Sequence, residues 1–325
     1  MKKPIAIIAG EPNSISSEII FKSWKLRKRY IHKPLLVIGS IQLLNLQKKR
    51  LKYHIRIKKI KSNFNMEDLN GNELPVYNVD YKQKKPFQKI SNKSNKYIFK
   101  SFDIAIDLIK NKKILGFINC PVSKQTLFKN KYQGITEFLS KKASVEDNEV
   151  MLIYNKSLSV SPMTTHIPLK NVHKKITTSM IVYKIKTINQ FYKDKFNKIP
   201  RFAVTGLNPH CESNFNNSEE DKIIKPAIKF AQKKFLNVKG PFSADTLFVK
   251  ENLKKFDIII CMYHDQVLTP LKTLFGFNAI NLTLGLPFIR ISPDHGPNNQ
   301  MLGQIKSNPA SLKESLIFLK KINEN

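Results

Sequence analysis

Three of the seven histidines in this 325-residue chain stand just behind stretches that read as β-strands: His166 in SPMTTHIP, His210 in TGLNPHCE and His264 in CMYHDQ. Three neutral imidazoles with positions left open for substrate are a recognised arrangement for a catalytic divalent ion. Projecting from strand ends, all three would enter one crevice. A single histidine in such a place is an ordinary structural residue, so spacing alone leaves both readings open. Asp265, beside His264, and Asp245, in PFSADTLF, are carboxylates that could orient these imidazoles or join them as ligands. Helix caps or surface ion pairs are their structural alternatives.

A second set of residues suits an anion. Lys272, Asn281 and Arg290 fall in YHDQVLTPLKTLFGFNAINLTLGLPFIRISPDHG (263–296), an apolar stretch punctuated by Gly and Pro. A cation desolvated in such surroundings needs an anionic partner, whereas one left in water needs none. NCPVSK (119–124) brings Lys124 to the end of another expected strand. GITEFLS (134–140) opens a helix with Thr136, whose hydroxyl and neighbouring N–H groups could hold a phosphate or simply cap the helix.

The elements that must position these groups alternate along the chain. IAIIAG (5–10), LLVIG (35–39), GFINC (116–120), RFAVTGL (201–207), FDIIICMY (256–263) and AINLTLG (279–285) are apolar blocks without strict alternation, as strands covered on both faces are. Residues 16–30, 96–113, 178–193 and 218–235 carry apolar positions at helical spacing, the last opening with Ser218 as a cap and an acidic first turn. This alternation predicts an α/β protein with a largely parallel sheet, whose ligands gather at the carboxyl ends of the strands.

Composition narrows the class. The 56 Lys and Arg outweigh 24 Asp and Glu, for a formal charge of +32. The basic residues are scattered, and RKRY (27–30), KKR (48–50) and KKIK (58–61) are short enough to be solvated faces. A positive field of this size attracts anionic substrates, phosphate esters among them. Cys120, Cys211 and Cys261 fit neither a disulfide framework nor a zinc ribbon, which points to a reducing compartment. Pro4 and the polar turn after it leave no room for a signal peptide, and no apolar run nears the ~20 residues that span a bilayer, so a cytoplasmic protein with no membrane partner is expected.

Taken in order, GEPNSISSE, CPVSK, GITEFL, TTHIPL, GLNPH, GPFSADTLF, MYHDQ and TLGLPFIR through DHG resemble the 4-hydroxythreonine-4-phosphate dehydrogenase (PdxA) family over nearly the whole chain. The resemblance implies an isocitrate/isopropylmalate dehydrogenase-like α/β/α fold. Residues 1–325 would form one catalytic unit of two lobes with the site in the cleft between them, working as a homodimer with a shared active site. It implies metal binding by His166, His210 and His264, with zinc, magnesium or cobalt as the ion, and substrate contacts from Thr136, Lys272, Asn281 and Arg290. Asp245 and Lys272 are the expected catalytic groups. The implied reaction is NAD- or NADP-dependent oxidation of 4-phosphooxy-L-threonine to 2-amino-3-oxo-4-phosphooxybutyrate, which decarboxylates to 3-amino-2-oxopropyl phosphate. No G-x-G-x-x-G follows any strand, so the nicotinamide cofactor rests on the resemblance alone.

The chain departs from the family's pattern at several points. Ile135 stands where a histidine is usual, and Ser123 replaces another. The first loop reads GEPNSISSE where several glycines are usual, the Gly-rich stretch after His210 has become CESNFNN (211–217), and Pro297, Asn298 and Asn299 follow DHG. These changes leave open a dehydrogenase of another four-carbon 4-phosphooxy acid lacking the amino group. The charge alone motivates a more distant alternative, a basic nucleic-acid-binding protein without catalysis, which would bind with strong salt dependence and indifference to metal.

Overall fold

All six apolar runs expected as strands are strands in the computed structural model, which describes residues 3–29, 34–129, 131–132, 134–146, 148–211, 217–234, 236–276 and 278–322. Numbered in chain order, they are β1 (Ile5–Ile8), β2 (Leu35–Gly39), β5 (Gly116–Asn119), β8 (Phe202–Thr205), β10 (Ile258–Cys261) and β11 (Ile280–Leu284). Six more join them: β3 (Ile57–Ile60), β4 (Leu74–Asn78), β6 (Val150–Tyr154), β7 (Ser159–Pro162), β9 (Val238–Phe242) and β12 (Ile289–Pro293). The chain forms two compact units, Met1–Glu146 with Leu286–Asn325, and Asp147–Gly285.

In the first unit the strands run in the order β3-β4-β2-β1-β5-β12, every neighbouring pair parallel. Strands β1, β2 and β5 are buried at every position, as strands covered on both faces must be. The rings of Phe117 and Phe138 lie 6.0 and 5.9 Å from Phe102, on the helix Asn95–Lys110, in an edge-on cluster at the heart of this core. Two of the basic runs have local reasons. Lys58 and Lys59 sit on β3, at the sheet edge, where charge discourages pairing with another chain. Lys48, Lys49 and Arg50 close the helix Ile41–Arg50, where cations complement the helix dipole.

In the second unit the order is β11-β6-β7-β10-β8-β9. Strands β7, β10, β8 and β9 are mutually parallel, while β6 runs antiparallel to both β7 and β11. The largely parallel expectation therefore holds except at β6. Only residues 155–158 separate β6 from β7, too short a link for a parallel crossover. Ile153, Val160, Ile259, Val267 and Leu271 belong to the core of this unit. The expected helices are present at Thr178–Phe196 and, after a wide turn at Glu220–Ile224, at Lys225–Lys233. Ser218 caps as expected, its Oγ accepting the Asp221 N–H at 3.2 Å. Tyr30, Phe235 and residues 212–216 of CESNFNN lie outside the described residues. Among the described residues no helix is long and apolar enough to cross a membrane.

Candidate active site

The three histidines follow three adjacent parallel strands of the second unit. His166 comes after β7, His264 after β10 and His210 after β8, with β10 in the middle; Asp245 follows β9, next in line. All four thus belong to the carboxyl ends of one sheet, where α/β proteins collect their ligands. The rings of His166 and His264 are 5.8 Å apart between centroids. His264 Nδ1 lies 2.7 Å from Asp265 Oδ1, a contact that orients the ring and leaves Nε2 as the nitrogen on which a ligand could sit. His210 has left-handed backbone at φ 58 and lies near enough to Asp245 to act on its charge. The Asp245 carboxyl is held below its ordinary value first by the Ser243 hydroxyl, at 2.6 Å, and further by the Thr246 N–H and by His210.

These donors suit a divalent ion in kind: imidazoles, one already oriented by a carboxylate, with Asp245 alongside. Two of the three rings are paired. Among the described residues, no three His, Cys, Asp or Glu side chains are gathered closely enough to hold a metal ion. His210 lies in the short turn Pro209–Cys211 that follows β8.

Polar side chains, buried or half-buried, tie the strand ends together. Thr164, two residues before His166, donates both its N–H (3.2 Å) and its hydroxyl (2.9 Å) to the carbonyl of Met262, two residues before His264. The amide of Gln266 spans the next gap. Its Oε1 accepts the Met262 N–H at 2.7 Å and the Thr205 hydroxyl at 3.1 Å, and its Nε2 donates to the Gly206 carbonyl at 2.9 Å. Glu220, fully buried, then holds the approach to His210: Oε1 accepts the N–H groups of Leu207 (2.7 Å) and Asn208 (2.9 Å), and Oε2 accepts Asn208 Nδ2 (2.9 Å). Burial alone would raise the Glu220 carboxyl, but these donors more than offset it and hold it below its ordinary value. Glu220 lies in the acidic first turn expected behind Ser218, and it is also an internal anchor. A Cβ on Gly206 would stand 2.6 Å from Cys211 Sγ and 3.0 Å from Glu220 Oε1, so the loop closes this tightly only with glycine there.

The other expected residues divide between the units. In the first, Arg290 lies on β12, only 4% exposed, and donates through Nε to Asn119 Oδ1 at 2.7 Å and through a terminal nitrogen to Thr136 Oγ1 at 3.4 Å. Burial pulls its guanidinium down to about 10, with Glu137 opposing. Burial likewise lowers the Lys124 ammonium, Glu137 again opposing and Arg290 adding to the effect. Two cations thus feel the same carboxylate, Glu137, in a positively charged setting that suits an anion. Thr136 is the second residue of the helix Ile135–Lys142, and Gly134 takes the cap position that Thr136 could have filled. Ile135 is buried in the core of this unit. In the second unit, Asn281 lies on β11, and its Oδ1 is buried without a hydrogen-bond partner. Lys272 lies exposed in the last turn of the helix His264–Phe275.

Sequence reasoning missed Asn119, Gln266 and the inward role of Glu220. Gln266 could have been suspected from its place two residues after His264, at a helix start; nothing local marks Glu220 as buried.

The fold is that of an α/β protein with its candidate site residues at strand ends: three histidines behind neighbouring strands in one unit, and in the other a buried arginine bonded to a threonine. The chain matches the family described as pyridoxal phosphate biosynthetic protein PdxA over residues 31–318, and it belongs to that family. A protein of Sulfurihydrogenibium sp. named 4-hydroxythreonine-4-phosphate dehydrogenase is 36% identical, over 98% of this chain and 99% of that one. An Oceanobacillus iheyensis protein with the provisional name D-threonate 4-phosphate dehydrogenase is 32% identical, over 97% of this chain and 96% of its own. The crystal structure of a 4-hydroxythreonine-4-phosphate dehydrogenase from Klebsiella pneumoniae superposes with a TM-score of 0.84 at 27% identity, covering 99% of each chain.

Proposed function

We propose that the protein is a nicotinamide-dependent 4-hydroxythreonine-4-phosphate dehydrogenase in pyridoxal phosphate biosynthesis, oxidising the C3 alcohol of 4-phosphooxy-L-threonine at the expense of NAD or NADP. The observation that carries this reading is the placement of His166, His264 and His210 behind three adjacent parallel strands, in a chain of this family. These imidazoles would hold the divalent ion, zinc in the first instance and magnesium or cobalt otherwise. When bound, the ion supplies a Lewis acid that lowers the pKa of the substrate alcohol.

The chain's own residues do the rest. Asp245, kept ionised by Ser243, Thr246 and His210, is the carboxylate available to take the alcohol proton. Arg290, whose orientation Asn119 fixes, binds the substrate anion together with Thr136. Lys272 adds a flexible cation. The orphaned Asn281 Oδ1 is an acceptor waiting for a donor, for which the substrate's ammonium or hydroxyl qualifies. A substrate held in a single orientation loses hydride from C3 more readily. The oxidised product is a β-keto acid, which loses carbon dioxide to give 3-amino-2-oxopropyl phosphate. The resemblance supports a homodimer with a shared active site.

D-threonate 4-phosphate, which carries a hydroxyl in place of the amino group, is the second reading, favoured by the Oceanobacillus relative. Initial rates of NAD(P)H formation on both substrates, at equal concentration with zinc-loaded protein, separate the two. Higher kcat/KM on 4-phosphooxy-L-threonine supports the proposal, and higher kcat/KM on D-threonate 4-phosphate replaces it.

A further inference from the structure

Lys184 is a lysine that no motif singles out. It lies on the helix Thr178–Phe196, only 6% exposed, and its ammonium donates to two main-chain carbonyls, Pro162 O at 2.8 Å and Met163 O at 2.9 Å. These carbonyls stand at the carboxyl end of β7, where the chain leaves the sheet for His166. Burial pulls the ammonium down to about 8, with Glu149 opposing. A buried cation is costly to keep, and an apolar side chain would pack this helix against the sheet without that cost. Its placement accounts for it. At this strand end Met163 N–H donates to Cys261 O and Thr164 to Met262 O, so β7 stays in register with β10 through Thr164 and departs immediately after. Lys184 holds the carbonyls of Pro162 and Met163 just ahead of that departure, and thereby bears on where Thr165 and His166 begin.

The same helix and strand supply an internal comparison. Near the amino end of β7, the hydroxyls of Tyr192 and Ser159 meet at 2.8 Å. That contact also joins this helix to this strand, but it lies at the end away from His166.

We propose that Lys184 is a positioning residue for His166, clamping the carboxyl end of β7 so that the imidazole meets that of His264. The inference rests on His166 being a metal ligand. The test is zinc affinity of the metal-free protein, measured by competition with a chromophoric chelator, for wild type, Lys184→Met, Lys184→Gln, Tyr192→Phe and His166→Ala, each checked for folding by circular dichroism. Loss of a group that orients a metal ligand weakens binding by about 10–100-fold, the expected result for Lys184→Met. Lys184→Gln, which can serve one carbonyl of the two, should fall between it and wild type, and it carries the test should the methionine variant not fold. Tyr192→Phe should stay within about twofold of wild type, because it perturbs the same junction away from the site. Wild-type affinity in both Lys184 variants, with His166→Ala weakened, overturns the role of Lys184 alone. Equal weakening in Tyr192→Phe also overturns it, since any loosening of the helix would then suffice. Wild-type affinity in His166→Ala overturns the reading of His166 as a ligand, and the inference with it.

Discussion

Replacing Gln266 with methionine, close to it in length, removes the amide that joins the strand ends of β10 and β8. Three hydrogen bonds disappear, at 2.7, 2.9 and 3.1 Å. The Thr205 hydroxyl can turn to another acceptor. The Met262 N–H and the Gly206 carbonyl are main-chain groups in buried residues and cannot. Each buried group left unsatisfied costs about 1–3 kcal/mol, so the variant should lose about 2–6 kcal/mol from the second unit. The same tie sets the spacing of the chain segments carrying His264 and His210, so zinc affinity should fall as well, by about tenfold or more. Urea unfolding followed by circular dichroism measures the first effect, and chelator competition the second. A stability change below about 0.5 kcal/mol, the ordinary scatter for a surface substitution, would refute the assignment of Gln266 as a bridge between the strand ends. A full stability loss with unchanged zinc affinity would show that the bridge holds the sheet but not the histidines.

Arg290→Gln should raise KM for the phosphorylated substrate by about 30-fold or more, the scale of about 2–5 kcal/mol for truncating a buried charged contact, and steady-state kinetics would show it. An unchanged KM would remove Arg290 from the anion site. Asp257 reports on the fold away from the site: burial alone would raise its carboxyl, but Arg201 and Lys198 bring it down to about 2. Its folded value is below its unfolded one, so its stabilisation is complete above about pH 4 and is lost as pH falls toward 2. With the partner cations half exposed, Asp257→Asn should cost about 1–2 kcal/mol at neutral pH and nothing near pH 2, as pH-dependent denaturation would record. Ile135→His puts an imidazole into a buried apolar position; it should destabilise the first unit by about 1–3 kcal/mol and leave KM no better. A lowered KM in that variant would place position 135 at the anion after all.

Much of the scaffold is legible in the chain. The six largely apolar runs expected as strands are strands, because an apolar block bounded by turns has few other uses in an α/β chain; β6, VMLIY, is as apolar and is not among them. Strands β3, β4, β7 and β9 escape that reading since IKKI, LPVYN, SVSP and VKGPF mix charge, proline or small polar residues into their runs. The histidines are legible as strand-end residues from their positions behind apolar runs, yet the order β7-β10-β8 that makes them neighbours depends on pairing between segments far apart in sequence. The supports were least visible. Glu220 and Lys184 look like solvated charges on amphipathic helices, and only the packing of those helices against the strand ends turns them inward. Thr136 and Arg290 meet across 154 positions, a pairing no local pattern announces.

The central claim is tested most directly by NAD(P)⁺ reduction with 4-phosphooxy-L-threonine as substrate, run with zinc-loaded protein, with the same protein after chelation, and with His210→Ala. The account predicts turnover in the first case and its loss in the other two, with activity returning to the chelated wild type, but not to the variant, when zinc is restored. Turnover that survives chelation and the loss of His210 would contradict it, because the three strand-end imidazoles would then have no part in the reaction.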